Sequence, residues 1–214
     1  EIDTQIIVSS NAIMIKALFN ASLFDTIYLD IAQKSLDRLL EKFYSDLTLY
    51  HCASTDKDPK IVAFLDDYAY LANTLLTAYT ITQDESYILK AQQLVNDALR
   101  DFYTNGDWNF STGDVLTKAE ITDTTFPSSI SIMVETLIQL GTLVDSKYKD
   151  FAFKTLEYNS YEAMRFPIKY PKLTSTILRF VMPNYLFKMP LEGKLSTLLT
   201  TLYSYPYISI QTHN

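Results

Sequence analysis

Cysteine, glycine, proline and positive charge are all scarce in this sequence, and each shortage removes a class of protein. A single cysteine, Cys52, in 214 residues excludes an internal disulfide and fits a reducing cytosol, so a cytoplasmic location is expected. Four glycines and seven prolines, none of the latter before Pro59, suit long uninterrupted helices. Lys and Arg number 18 against 25 Asp and Glu, and the net charge of −7 comes with no basic run to neutralise phosphates. Nucleic acid is therefore not an expected partner. The apolar stretch from Ile6 to Phe24 is broken by Ser9, Ser10, Asn11, Lys16 and Asn20, and reads as neither a membrane span nor a signal peptide. There is no Gly-rich phosphate loop. The two histidines, His51 and His213, do not form a metal-ligand spacing with Cys52 and read as poor general bases. No metal and no cofactor is expected.

What is present is a repeat. Asp-x-x-Tyr-x-x-x-Ala occurs at Asp25–Ala32, Asp84–Ala91 and Asp145–Ala152, with tyrosines 59 and 61 residues apart. Such self-similarity marks a repeated supersecondary unit. Physically it is a helix start: the Asp carboxylate accepts orphan N–H groups of the first turn, and Tyr and Ala share a face at i and i+4. Each copy follows a stretch that is apolar on nearly every side (12–19, 68–76 and 130–138) and precedes an amphipathic one. A helix apolar all round is buried on most faces, whereas a single apolar stripe belongs at the surface. The pattern predicts three αα-hairpins, with inner helices near 10–23, 64–81 and 128–143 and outer helices near 26–46, 84–103 and 146–164. With 48% hydrophobic residues the chain can build one continuous core, so residues 1–180 read as one main helical domain, an arc of a toroid or a short solenoid.

Between the hairpins the composition changes. Leu47–Cys52 alternates like a strand, residues 53–60 form a polar turn, and Ile61–Phe64 returns; Asn105–Leu116 has the same form, two short extended runs around a Gly-Asp turn. Loops of this kind on a rigid scaffold commonly carry binding residues. After Pro171 the repeat stops. Tyr185–Met189 reads as a strand, Leu191–Ser204 as a helix and Tyr207–Gln211 as a second strand, a small βαβ-like appendage over 181–214. The chain also begins at Glu1 and enters a helix almost at once, which reads as a fragment of a longer protein.

Three segments carry a resemblance: Val8–Ile15 (VSSNAIMI), Phe64–Leu71 (FLDDYAYL) and Phe126-Pro-Ser-Ser129 ahead of an apolar helix. Together they resemble the thioredoxin-domain-containing family of unknown function related to the spermatogenesis-associated thioredoxin-like protein. The resemblance covers most of residues 3–180. It implies a thioredoxin-like domain followed by a six-hairpin (α/α) toroid similar to glycosidases and N-acylglucosamine 2-epimerases, with this chain as the toroid's C-terminal half. The departures matter too. Ser10 and Ala12 stand where the family has Trp and Gly, while Asn11 remains; Asp123, Pro127, Ser128 and Ser131 match the later motif, but Thr124, Ser129 and Ile130 do not. Ile at a cavity-lining Asn position removes a donor and an acceptor, so a family site would be weakened or lost in this copy.

The candidates for chemistry are Asp66 and Asp67, beside Tyr68, at the start of the second inner helix. Paired carboxylates are what glycoside hydrolysis needs, and Glu120 or Asp123 offers a further one. Neighbours on a helix point about 100° apart, so both cannot face one pocket unless they sit at the helix start, where one can cap and the other project into the toroid mouth. The competing reading is that Asp66 merely caps the helix and Asp67 is solvated or paired, since acids are favoured at helix starts. Trp108 and Phe110, with Tyr68 and Tyr70, offer an apolar platform for a sugar ring, although most of the 16 tyrosines will serve layer packing. Asn11 and Ser128 complete the candidate binding set; Ser128-Ser129 reads as an N-cap and not a nucleophile.

Two functional classes follow. One is a carbohydrate-binding or carbohydrate-processing toroid to which Asn11, Asp66, Asp67 and Asp123 contribute. The other is a noncatalytic helical scaffold that holds a partner or supports a thioredoxin-like domain. The degenerate motifs favour the scaffold, the toroid resemblance the enzyme. Three hairpins close half a ring, so the open ends should expose apolar patches and drive self-association or union with the rest of a parent chain.

Overall fold

The structure, a computed structural model, describes residues 4–113, 115–190 and 208–213. Six helices form three antiparallel hairpins: α1 (Val8–Ala21) with α2 (Ile27–Phe43), α3 (Leu65–Thr82) with α4 (Glu85–Asp101), and α5 (Ser129–Leu143) with α6 (Lys147–Arg165). α1, α3 and α5 pack side by side as an inner row, and α2, α4 and α6 lie outside it. The all-round apolar sequences of α3 and α5 are buried over most of their length, while α2 and α4 bury single stripes such as Ala32, Leu36, Leu39, Leu40 and Phe43. The expected boundaries hold to within a few residues.

The repeated aspartates perform the predicted task. Asp25, Asp84 and Asp145 each accept, through Oδ1, the N–H two residues on, at 3.0, 2.9 and 2.9 Å. The repeated alanines are all fully buried. The tyrosines differ. Tyr148 is 0% exposed and donates its hydroxyl to Asn96 of α4, and Tyr87 is 7% exposed with its ring edge-on to Phe19 of α1. Each ties its outer helix to the preceding hairpin. Tyr28, on the first of the described hairpins, is 39% exposed.

One element departs from the sequence reading. The repeat does not stop at Pro171: α7 (Pro171–Val181) packs on α5 and α6 as a fourth member of the inner row. Proline at the first helical position needs no N–H and presets the helical φ, so Pro171 starts a helix.

Short strands link the hairpins. β1 (Gln5–Ile7), β2 (Tyr44–Ser45) and β4 (Ile61–Val62) all pair antiparallel with β3 (Thr48–Ser54). β5 (Tyr103–Thr104) pairs with β6 (Asp107–Trp108) around Asn105-Gly106, at φ 46° and 98°, and beyond β6 the chain folds back antiparallel across the expected Gly-Asp turn, with Asn109 bridged to Lys118 and the Phe110 N–H donating to the Thr117 carbonyl at 2.6 Å. The same register follows the first outer helix, where Asp46 and Leu47 turn at φ 49° and 61°. β7 (Tyr185–Pro190) pairs in parallel with β8 (Ile208–His213), and parallel neighbours require a crossover. The crossover helix expected at Leu191–Ser204 lies outside the described residues. β8 rests on α3 and α5, with Ile210 buried.

Candidate functional site

The N-termini of the inner helices meet on one side of the row, and the loops entering α3 and α5 roof them. Between them lies a cavity of about 400 Å³, lined by Ser9, Ser10 and Ile13 of α1, by Asp66 and Tyr70, by Ser128 and Ser129, and by Phe110, Glu120, Phe126 and neighbouring loop residues. Its size is that of a small-molecule site.

Asp66 and Asp67 divide the work as their 100° separation requires. Asp67 is fully buried and turns away from the cavity. Its Oδ2 accepts from the Phe64 N–H at 3.0 Å, closing the first turn of α3, and its Oδ1 accepts from the Ser9 N–H at 3.0 Å, in the first turn of α1. One carboxylate thus satisfies orphan donors of two inner helices. Its Oδ2 also meets His51 Nδ1 at 2.8 Å. That bond to Asp67 is the main cause raising the His51 pKa; burial opposes it, and the charges of Asp67 and Asp66 reinforce it. His51 packs edge-on to Phe64, whose other face stacks on Phe110 with ring centres 4.9 Å apart.

Asp66, half-buried, opens into the cavity. Burial pushes its carboxyl above the usual carboxylate range; the hydrogen bond with Ser129 opposes this, the adjacent Asp67 charge adds to it, and His51 again opposes it. A carboxyl that holds its proton more tightly than usual is suited to donate it in acid–base chemistry.

Asp123 proves to be a clamp as well. Its Oδ1 accepts from the Ser128 N–H and its Oδ2 from the Lys172 N–H, both at 2.7 Å, joining the starts of α5 and α7. Asp123 does not line the cavity. Ser128 caps α5 by accepting the Ser131 N–H at 3.2 Å and also lines the cavity wall, as the N-cap reading expected. Glu120 is exposed on the rim.

Three expectations are corrected. Trp108 is no sugar platform: it is 0% exposed, its indole N–H donates to Thr155 of α6 at 3.0 Å, and Tyr103 packs edge-on against it. Tyr68 faces the outer layer, packed on Phe102, and burial raises its pKa to about 12. Asn11 turns back to donate to the Ile7 carbonyl at 2.8 Å and does not line the cavity. Tyr70 and Phe110, the other half of the aromatic set, do line it; the Tyr70 hydroxyl donates to the Pro127 carbonyl and so joins α3 to the loop before α5. His51 was set aside in the sequence because only the pairing of β3 near α3 brings it to Asp67.

Among the described residues no group of His, Cys, Asp and Glu is arranged to hold a metal ion, and no helix is long and apolar enough to cross a membrane. No protein-family model and no curated protein matches the sequence. Solved structures do. The chain is similar to the GH76 α-mannanase of Bacteroides thetaiotaomicron at 16% identity and TM-score 0.55, over 71% of this chain and 43% of that one. It is similar to the cellobiose 2-epimerase of Bacillus thermoamylovorans at 16% identity and TM-score 0.59, over 72% and 44%. A third likeness, at 15% identity and TM-score 0.57 over 94% and 58%, is to an α-1,6-mannanase of a Salegentibacter species in complex with α-1,6-mannotriose. That protein is an inactive variant in which two consecutive aspartates are replaced by asparagine. The chain spans about half the length of the structures it matches. The likenesses establish the fold: the hairpins are those of a six-hairpin (α/α) toroid.

Proposed function

We propose that the cavity at the N-termini of the inner helices is a carbohydrate site, and that Asp66 is its acid–base group. The observation that carries this reading is the carboxyl of Asp66, half-buried in an open cavity, with its proton held more tightly than usual beside the aromatic wall of Phe110 and Tyr70. The mannanase and epimerase likenesses support a sugar as the ligand, and the inactive mannanase variant supports the consecutive aspartates Asp66-Asp67 as the place to look. Asp67 then acts through position: it fixes the starts of α1 and α3 and so the direction in which Asp66 points. Glu120 on the rim is the second carboxylate of a hydrolytic pair.

The resemblance to the thioredoxin-domain-containing family of unknown function fits this reading, with a cytoplasmic parent whose remaining hairpins complete the ring. The exposed side of the first hairpin, with Met14, Ile27, Tyr28 and Ile31, is where they would pack. The chain by itself should self-associate through that face, which light scattering checks; a monodisperse monomer at high concentration contradicts it.

The noncatalytic scaffold stands as the second reading because Asp67 and Asp123, two of the four candidate carboxylates, are engaged as helix clamps. Titration with α-1,6-mannotriose and cellobiose, followed by NMR for both binding and turnover, separates the readings. The carbohydrate reading expects shifts at Ser9, Tyr70, Phe110 and Ser129, and loss of any turnover in Asp66→Asn. No shift with either sugar favours the scaffold.

A further inference from the structure

Beneath the floor of the cavity the inner helices carry a second polar layer that the sugar reading does not use. Ile13 and Tyr70 line the cavity, and one turn further along their helices lie Lys16 of α1 and Asn73 of α3. Facing them are Glu135 of α5 and Lys172 and Arg179 of α7. Glu135 Oε1 accepts from Lys172 Nζ at 2.9 Å and Arg179 Nη1 at 3.2 Å, while Lys16 Nζ donates to Asn73 Oδ1 at 2.5 Å. Asn73 donates to Thr136 at 3.1 Å and to Glu135 at 3.4 Å, and Gln139, with its amide oxygen toward Arg179, accepts from both terminal nitrogens at 3.0 and 3.2 Å.

The charges in this layer do not balance. Lys172 and Arg179 share the Glu135 carboxylate and Lys16 lies beside it, so among the described residues three cationic groups face one acid in a largely buried place. Burial is the main cause lowering the Lys16 pKa; Glu135 opposes it, and repulsion from Lys172 and Arg179 adds to it. Burial would raise the Glu135 pKa, but the charges of Lys172, Lys16 and Arg179 overcome this and hold it at about 2. Arg179 is 9% exposed, and its Nε has no hydrogen-bond partner among the described residues. Uncompensated buried charge is costly, and an unpaired buried donor adds to the cost. The layer is also reachable, with the Lys172, Glu135 and Arg179 side chains 23, 14 and 11% exposed.

We infer that this layer is a binding site for the carboxylate or phosphate group of a small molecule, held by Lys16, Lys172 and Arg179 with Glu135 setting their geometry. The Lys172 ammonium and the Arg179 guanidinium converge on Glu135 Oε1, and Lys16 is joined to the same carboxylate through Asn73; such groups are the usual means of holding an oxyanion. The site does not depend on the carbohydrate reading, because it lies below the cavity and Asp66 takes no part in it.

Calorimetric titration in low-salt, phosphate-free buffer tests it with three probes: inorganic phosphate, glucuronate and neutral glucose. Saturable one-to-one binding of phosphate or glucuronate is expected, weakened about tenfold or more in Lys16→Met and in Arg179→Gln and unchanged in Lys34→Met, which removes an exposed ammonium far from the layer. Since Lys16→Met removes repulsion as well as a ligand, it should melt at or above the wild-type temperature without anion. It should also lose the anion-dependent rise in melting temperature. That keeps the test decisive should Arg179→Gln fold poorly. Binding of phosphate but not glucuronate supports a phosphate site. The inference is overturned if neither anion binds, as when acidic side chains of another protein segment fill the layer, or if binding survives both substitutions. Glucose binding that is lost in Lys16→Met and Arg179→Gln would also overturn it, since the layer would then read the sugar and not the negative charge.

Discussion

The two ends of the inner row are built alike, and the point between them is not. At one end Asp67 clamps the starts of α1 and α3; at the other Asp123 clamps the starts of α5 and α7. Each takes two backbone N–H groups that a helix N-terminus leaves unpaired. Asp66 sits between the clamps, accepts no backbone donor among the described residues, and turns its carboxylate to Ser129 and the open cavity. These three aspartates thus have two roles, set by the orphan donors in reach of each and not by their spacing in the chain. A carboxylate spent on helix ends is unavailable for chemistry; of the three aspartates, the one left over is the candidate, with Glu120 on the rim as its partner.

Removing each acid in turn is the way to break this comparison, with urea unfolding as the measurement. Asp67→Ala should cost most, about 3–5 kcal/mol, since it strands buried donors of two helices and the His51 ring. Asp123→Ala should cost about 1–2 kcal/mol, as expected for a lost cap that water can partly replace. Asp66→Asn should change stability by less than about 0.5 kcal/mol. Its folded-state pKa is raised, so its stabilising contribution is complete only below the unfolded value of 3.8 and is lost as pH rises through the folded value; at neutral pH an uncharged Asn has nothing to lose.

The repeated tyrosines sharpen the same contrast on the outer face. Tyr148→Phe should cost about 1 kcal/mol by losing the bond to Asn96, and Tyr28→Phe close to nothing. A small pH slope is expected from His51. Its folded pKa lies above 6.5, so the pairing with Asp67 stabilises fully below that value and fades as pH rises through the folded value. Comparing wild type with His51→Gln between pH 5 and 8 should remove that slope.

The helical layers were legible because their signals are local: an Asp that accepts the N–H two residues on, an apolar face repeating every 3.6 residues, a Tyr and an Ala one turn apart. The site was legible only in part. Asp66 and Phe110 could be proposed from position, but which aspartate of the pair faces the cavity depends on the Ser9 N–H 58 residues away. Trp108 looked like a loop residue open to ligand because its partner, Thr155, is 47 residues further on. α7 was hidden because Pro171 reads equally as a stop or as a first helical residue. The balance of Lys16, Glu135, Lys172 and Arg179 comes from three different helices, and no local pattern announces it.

The most direct test is an NMR titration of the Asp66 carboxyl carbon in the wild-type chain, with Asp66→Asn to assign the resonance. An apparent pKa above 3.8, shifted again when a sugar enters the cavity, is the result the account predicts. A value at or below 3.8, indifferent to every sugar added, would show Asp66 to be a third structural cap and would contradict it.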